Sequence, residues 1–161
     1  MDDWEARIAE VWELAAGTMV DEEVIDRIDE IAAERGTDDA RAEFERAGAR
    51  DSAGLPDEAV PLYERALLLG LDDEHRPQAV IQMASSIRNL GDDERALALL
   101  EAELRDHPEA PFRDEVAAFL ALALASSGQP VLAASLALET LAPHLRRYTR
   151  SVTNYAQDLI G

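Results

Sequence analysis

Residues 116–138 read VAAFLALALASSGQPVLAASLAL, twenty-three residues without a charge in a chain whose formal net charge is −19. Whether this stretch crosses a membrane or packs in a core decides the fold. A bilayer core asks for about twenty continuous apolar residues. Here SSGQP, at 126–130, interrupts the run near its middle, where a lipid-exposed turn would leave backbone groups unsatisfied. Each apolar half is then too short to span. The stretch is expected to be two helices turned at Gly128, with no membrane partner. Both halves are apolar nearly all round, including Phe119 and Leu122, so they need cover.

Working outward, the turn recurs. Gly54, Gly91 and Gly128 are spaced 37 residues apart, and Ala59, Ala96 and Ala133 follow each glycine by five. The glycine permits a turn without a Cβ penalty, and the alanine lets two helix backbones approach. Each unit supplies a helix before its glycine and another after it: 39–53 with 56–70, 76–90 with 93–106, and 113–127 with 130–142. Asp92 caps one second helix, and Pro56 and Pro130 open the other two, where a missing N–H costs nothing. A helix-pair period in the thirties marks an α-solenoid.

With Ala59, Ala96 and Ala133 as the small residue at position 20, Ala47, Ala84 and Ala121 fall at position 8, and the pattern resembles the tetratricopeptide repeat. Position 24 holds Tyr63, Leu100 and Ala137. Position 27 holds Ala66 and then departs to Glu103 and Thr140. Position 32 holds Leu71, Pro108 and Leu145. The first unit departs again at Glu43, Arg46 and Arg50, where apolar residues are usual, and a one-residue shift toward Phe44 would restore its pattern. The three extra residues per period lengthen links such as LGLDDEHR. More closely, AVPLYERALLLGL (59–71), AVIQMASSIRNLGDDERALALL (79–100) and FLALALASSGQP (119–130) resemble a small bacterial tetratricopeptide family. That resemblance covers residues 39–143. It implies a protein-interaction module, a dimer, and no assigned catalysis.

The flanks complete the expected layout. Trp4, Ile8, Val11, Trp12 and Ala15 make one amphipathic helix ending at Gly17. Val24, Ile25, Ile28, Ile31 and Ala32 make a second, opened by Asp21, Glu22 and Glu23 and closed by Gly36. Thr37 and Asp38 offer an N-cap to the next helix. At the other end, Leu145, Tyr148, Val152, Tyr155, Ala156 and Leu159 form a stripe suited to a capping helix. The expectation is an all-α, right-handed α-α superhelix in one domain: an N-terminal helix pair at 1–36, three repeats at 37–143, and a cap at 144–161.

Charge grades along the chain. Residues 1–37 carry net −9, 38–74 carry −7, 75–111 carry −3, and 112–161 are neutral. An acidic N-terminal half argues against nucleic acid and against anionic lipid, both of which need clustered cations. It suits a solvated face or a basic partner. All fifteen basic residues are arginine, and there is no cysteine, so disulfides and thiolate metal sites are excluded. The acidic start MDDWEARIAEVW does not look like a secretory signal, and cytoplasmic residence is expected by default.

In the tetratricopeptide resemblance the first helices line a concave groove. That implies Arg41, Phe44, Glu45, Gly48, Asp51 and Ser52 from the first unit, and Gln78, Ile81, Gln82, Ser85, Arg88 and Asn89 from the second. The third unit presents Glu115, Ala118, Phe119, Leu122, Ala125 and Ser126. Amides and a guanidinium suit a peptide backbone or a carboxylate; alternatively Arg88 simply pairs with Asp51 next door. Basic groove residues are too few for the carboxylate clamp of chaperone-binding members. His75 lies in a link, while His107 and His144 end second helices, without a metal-ligand pattern. The Asp–Asp steps at 2–3, 38–39, 72–73 and 92–93 begin no calcium loop and read as helix starts. No catalytic or nucleotide motif occurs, and no catalytic residue, cofactor or metal is expected. The groove therefore suits a protein or peptide, or in a sensor a small molecule or signalling peptide. The exposed apolar surface of the last repeat and cap, at Phe119, Leu122, Tyr148, Val152 and Tyr155, suits a second copy of the chain. Arg146, Arg147 and Arg150 are expected against acidic N-terminal surface of the same or the partner chain.

Overall fold

The computed structural model describes residues 3–161; Asp2, of the first Asp–Asp step, lies outside them. Nine α-helices and one short 3-10 turn follow each other along these residues. They are α1 (Asp3–Ala15), α2 (Asp21–Ala33), α3 (Ala40–Ser52), α4 (Pro56–Leu69), α5 (His75–Asn89), α6 (Asp93–Asp106), α7 (Arg113–Ser126) and α8 (Pro130–Leu141). The 3-10 turn Ala142–His144 precedes α9 (Thr149–Asp158). Each helix packs on the next, and α3, α5 and α7 also pack side by side. The molecule is an all-α solenoid. The uncharged stretch is α7, a turn and α8, and no helix among the described residues is long and apolar enough to cross a membrane.

The 37-residue period survives in three dimensions. Gly54, Gly91 and Gly128 all take positive φ, 71°, 89° and 84°, a region that only glycine enters freely. Ala59, Ala96 and Ala133 are buried five residues later, as are Ala47, Ala84 and Ala121 in the facing helices. One core runs through the three pairs, centred on Tyr63, Ile87, Leu100, Val116 and Leu124. A smaller core of Trp4, Ile8, Val11, Val24, Ile28 and Ala32 joins α1 and α2 to Ala42 and Ala49 of α3.

Several expectations need correction. No register shift occurs in the first unit. Glu43, Arg46 and Arg50 keep their places because each is paired: Arg46 bonds Glu43 at 2.7 Å, and Arg50 makes a two-pronged pair with Asp29 of α2 at 2.7 and 2.9 Å. The cap of α3 is Asp39, which accepts from Ala42 N–H at 2.8 Å, rather than Thr37 or Asp38. Asp38 and the Thr37 carbonyl instead hold Arg65. Asp92 does cap α6, accepting from Arg95 N–H at 3.1 Å. Glu103, the departure at position 27, is 6% exposed and is bonded by Arg76 at 3.2 Å.

The C-terminal stripe covers the last pair only in part. α9 starts only at Thr149, and Tyr148 precedes it in a left-handed conformation with φ 69°. Of the stripe, only Ala156 is fully buried; Leu145 and Val152 are half-buried, and Leu159 is exposed. Tyr148 and Tyr155 stand 75% and 70% exposed, so the cap leaves much of its own apolar stripe uncovered. Its tether is Ser135 of α8, whose buried hydroxyl donates to the Ala156 carbonyl at 2.8 Å.

Candidate functional site

A half-enclosed cavity of about 420 Å3 opens between α1, α3 and α5, lined by Trp12, Phe44, Glu45, Gly48, Asp51, Ser52, His75, Gln78 and Gln82. Helix α3 supplies the floor, and α5 supplies one wall through residues one turn apart, Gln78 and Gln82. The opposite wall is Trp12, carried by α1. Gly48 makes that wall possible: a Cβ there would sit 3.3 Å from the indole of Trp12. The indole N–H donates to Glu45 Oε2 at 2.7 Å, and the guanidinium of Arg41 bonds the other carboxylate oxygen. Glu45 is thus buried yet paired with a cation and a second donor, which a buried carboxylate requires.

Deeper in the cavity a second network forms. Ser86 donates its hydroxyl to Asp51 Oδ1. The Tyr63 hydroxyl lies 2.5 Å from Gln82 Oε1 and 3.5 Å from Asp51 Oδ2. A hydroxyl has one proton to give, and the shorter approach assigns it to Gln82. Burial first, then the charge of Asp51, pushes the Tyr63 pKa well above that of an ordinary phenol, so it stays neutral. The mouth is aromatic as well: His75 meets Phe44 edge-on, with ring centres 5.7 Å apart, and its Nδ1 is fixed by Asp72 at 2.8 Å.

The groove residues expected from the sequence divide into three groups. Phe44, Glu45, Asp51, Gln78 and Gln82 line the cavity together with Gly48 and Ser52. Arg41 stands behind it, its guanidinium 5.5 Å from the centre of the Phe44 ring. Ile81 is buried in the core. Ser85 and Arg88 are half-buried and Asn89 is exposed, continuing along α5. Among the described residues these three make no side-chain hydrogen bond or ion pair, and the alternative pairing of Arg88 with Asp51 does not form. Two lining residues were not anticipated. His75 is the first residue of α5 rather than part of a link, and Trp12 sits at the edge of the α1 stripe. A glycine inside α3 was the available signal, since a helix-interior glycine often marks close approach.

A second surface lies at the far end. Ala118, Leu122 and Ala125 of α7 and Ala134 and Ala137 of α8 border a shallow apolar groove of about 500 Å3. Repeat arithmetic explains it. The counterparts one period earlier, Ile81 and Leu100, are buried where α7 packs on α5 and α6. Two periods earlier, Phe44, Val60 and Tyr63 are buried where α5 packs on α3 and α4. Among the described residues α9 does not take that seat, because it packs on α8 and the 3-10 turn. Ala118, Ala134 and Ala137 are therefore exposed; Leu122, one period after the outward-facing Ser85, is 56% exposed, while Phe119 is half-buried against the main core. Arg146, Arg147 and Arg150 are exposed and form no ion pair within the described chain. No group of three metal-ligating side chains gathers among the described residues. His144 bonds Asp114 at 2.9 Å, and His107 caps the end of α6.

Comparison with known proteins agrees with this geometry. A family model described as tetratrico peptide repeat matches residues 40–159. Among solved structures, a Podosopora anserina protein described as a kinesin light chain, with nearly identical TPR-like repeats, superposes with a TM-score of 0.72. It is 19% identical over 99% of this chain and 94% of that one. A single-substitution form of the same protein gives a TM-score of 0.66 at 16% identity, over 99% and 96% of the two chains. At these identities the likeness is one of fold. No curated protein matches the chain.

Proposed function

Since the chain belongs to the tetratricopeptide repeat family, whose fold is generally a scaffold for protein–protein interaction, we propose that it is a non-catalytic scaffold. It holds a protein or peptide segment along the inner face of α3 and α5, resides in the cytoplasm and works as a homodimer. The observation that carries this is the state of α5: Ser85, Arg88 and Asn89 face outward with their hydrogen-bonding capacity unspent beside a cavity. Polar groups that the fold does not use, next to a concavity, are what an extended segment needs to satisfy its backbone.

The experiment is affinity capture from native extract with the wild-type chain and Arg88→Glu. The partner held by the wild type is lost by the variant. Identical partners from both remove the inner face from consideration. A second reading, a regulatory or sensor subunit binding a small molecule or signalling peptide, draws on the half-enclosed shape of the cavity behind Trp12. Under it, a low-molecular-weight fraction of the extract, and no protein, raises the melting temperature.

Dimerisation draws on the empty seat after α8. The apolar groove there matches two seats that the chain fills with its own α5 and α7, and a second copy brings the same apolar surface to it. The three unpaired arginines at 146, 147 and 150 then lie where acidic surface of the partner chain can meet them.

A further inference from the structure

We infer that the cavity between α1, α3 and α5 receives a basic side chain, arginine or lysine, borne by the segment that lies along the inner face. This deepens the scaffold proposal and rests on it. The inference follows from which hydrogen-bonding groups remain once the chain has satisfied itself.

Acceptors are left over in the cavity, one of them a carboxylate oxygen, and no cation of the described residues is left to meet it. Asp51 Oδ1 takes the Ser86 hydroxyl, but Oδ2 has only the distant Tyr63 oxygen, whose proton is committed to Gln82. No cation among the described residues pairs with Asp51, since Arg41 is committed to Glu45 and Arg88 does not reach it. Gln78 donates its amide to the Glu74 carbonyl at 3.0 Å, which leaves its side-chain oxygen open. Ser52 donates back to Ala49. The amide donors still free on the wall are the nitrogen of Gln82 and the second N–H of Gln78; neither carries a charge to match Asp51.

An uncompensated carboxylate and a free amide oxygen call for a ligand rich in N–H groups. The walls select for the same ligand. Trp12, Phe44 and His75 surround the mouth, and an ammonium or guanidinium is attracted to aromatic faces as well as to Asp51. An acidic side chain would meet Asp51 and Glu45 at close range, with no free cation to receive it. An aliphatic one would bury Asp51 Oδ2 without a donor, which is costly. The net charge of −19 raises the local concentration of basic segments before they dock.

The test reads the two indole N–H resonances of 15N-labelled protein. Trp12 lines the cavity, while the Trp4 indole N–H is bonded to the Ile31 carbonyl in the other core and serves as internal control. Acetylated, amidated Gly-Arg-Gly and Gly-Lys-Gly shift the Trp12 resonance saturably and leave Trp4 in place; Gly-Glu-Gly does not shift it. Asp51→Asn weakens the arginine peptide by about tenfold, the loss of one charge-assisted hydrogen bond. Should Asp51→Asn fail to fold, Gln78→Arg, which brings the chain's own cation to the cavity, abolishes the shift instead. An equal shift with Gly-Leu-Gly, or unchanged affinity in both variants, overturns the inference. So does tighter binding of free L-arginine than of the blocked peptide, which assigns the site to a free amino acid. If the captured partner is lost with Arg88→Glu but the tripeptides shift nothing, the scaffold proposal stands and the cationic cavity falls. If the tripeptides shift Trp12 but capture is unaffected by Arg88→Glu, the cavity stands and the wider inner face falls.

Discussion

At the scale of the residue, the departures from the repeat pattern are where the molecule says most about itself. Glu103 occupies a position that wants a small apolar side chain, and it is tolerated only because Arg76 reaches it from α5. Removing one member of such a pair leaves an uncompensated buried charge, whereas replacing both by apolar groups is often neutral. Arg76→Ala should therefore lower unfolding free energy by about 2 kcal/mol in urea titrations, and Arg76→Met with Glu103→Leu should recover most of it. Asp72 makes a second residue-scale case. Burial alone would raise its pKa, but hydrogen bonds from the His75 N–H and ring and from the Glu74 N–H outweigh this and hold it below the ordinary aspartate value. A depressed folded-state pKa contributes stability that is present above the unfolded value of about 4 and is lost as pH falls through the folded one. The stability gap between wild type and Asp72→Asn should accordingly stay constant above about pH 5 and narrow as the pH is taken lower. The Asp72 bonds are local and fit the helix start read at 72–73, but the Glu103 pairing was not legible in the sequence. Glu103 stands out there as an anomaly, but its partner lies 27 residues away, and only the fold brings the two together.

At the scale of the element, helix boundaries were nearly all legible. Glycine, proline and aspartate at helix ends act through their own backbone geometry and need no tertiary information. The expected and observed limits of α3 to α8 differ by a residue or so at most ends. Two elements escaped this logic. In α3 the charges at Glu43, Arg46 and Arg50 looked like a register error, because Asp29, which pairs with the two arginines, belongs to a different helix. In α9 the stripe shows which face is apolar but not how much of it is covered, and only Ala156 of it is fully buried. That narrow contact makes α9 separable. Ser135→Ala, which removes the one buried hydrogen bond between them, should cost about 1 kcal/mol. It should speed amide exchange across 149–158 while leaving α3 to α7 protected. Uniform acceleration throughout would mean that α9 is an integral part of the cooperative unit.

At the scale of the whole molecule, the period builds a seat after α8 that α9 does not fill among the described residues. Dimerisation through it leads to a direct measurement. The wild type should scatter light as a dimer at micromolar concentration, and Leu122→Asp as a monomer with an unchanged helical spectrum. A wild-type monomer would leave the groove as mere surface. If Arg146, Arg147 and Arg150 contribute, 0.5 M salt should weaken the dimer, since exposed pairs are screened within a few ångströms at that strength. The sequence by itself determined the fold class, the repeat period, the helix limits and the reading of 116–138 as two short helices, because each follows from local backbone preference or from periodicity along the chain. The cavity needed the tertiary structure. Trp12 and Gly48 are 36 residues apart in sequence, and the two meet only once α1 folds back onto α3. The open seat after α8 needed it too, for VAAFLALALASSGQPVLAASLAL states that an apolar surface exists and is silent on how much of it α9 covers. Patterning specifies which faces are apolar; only packing geometry decides which of them find a partner.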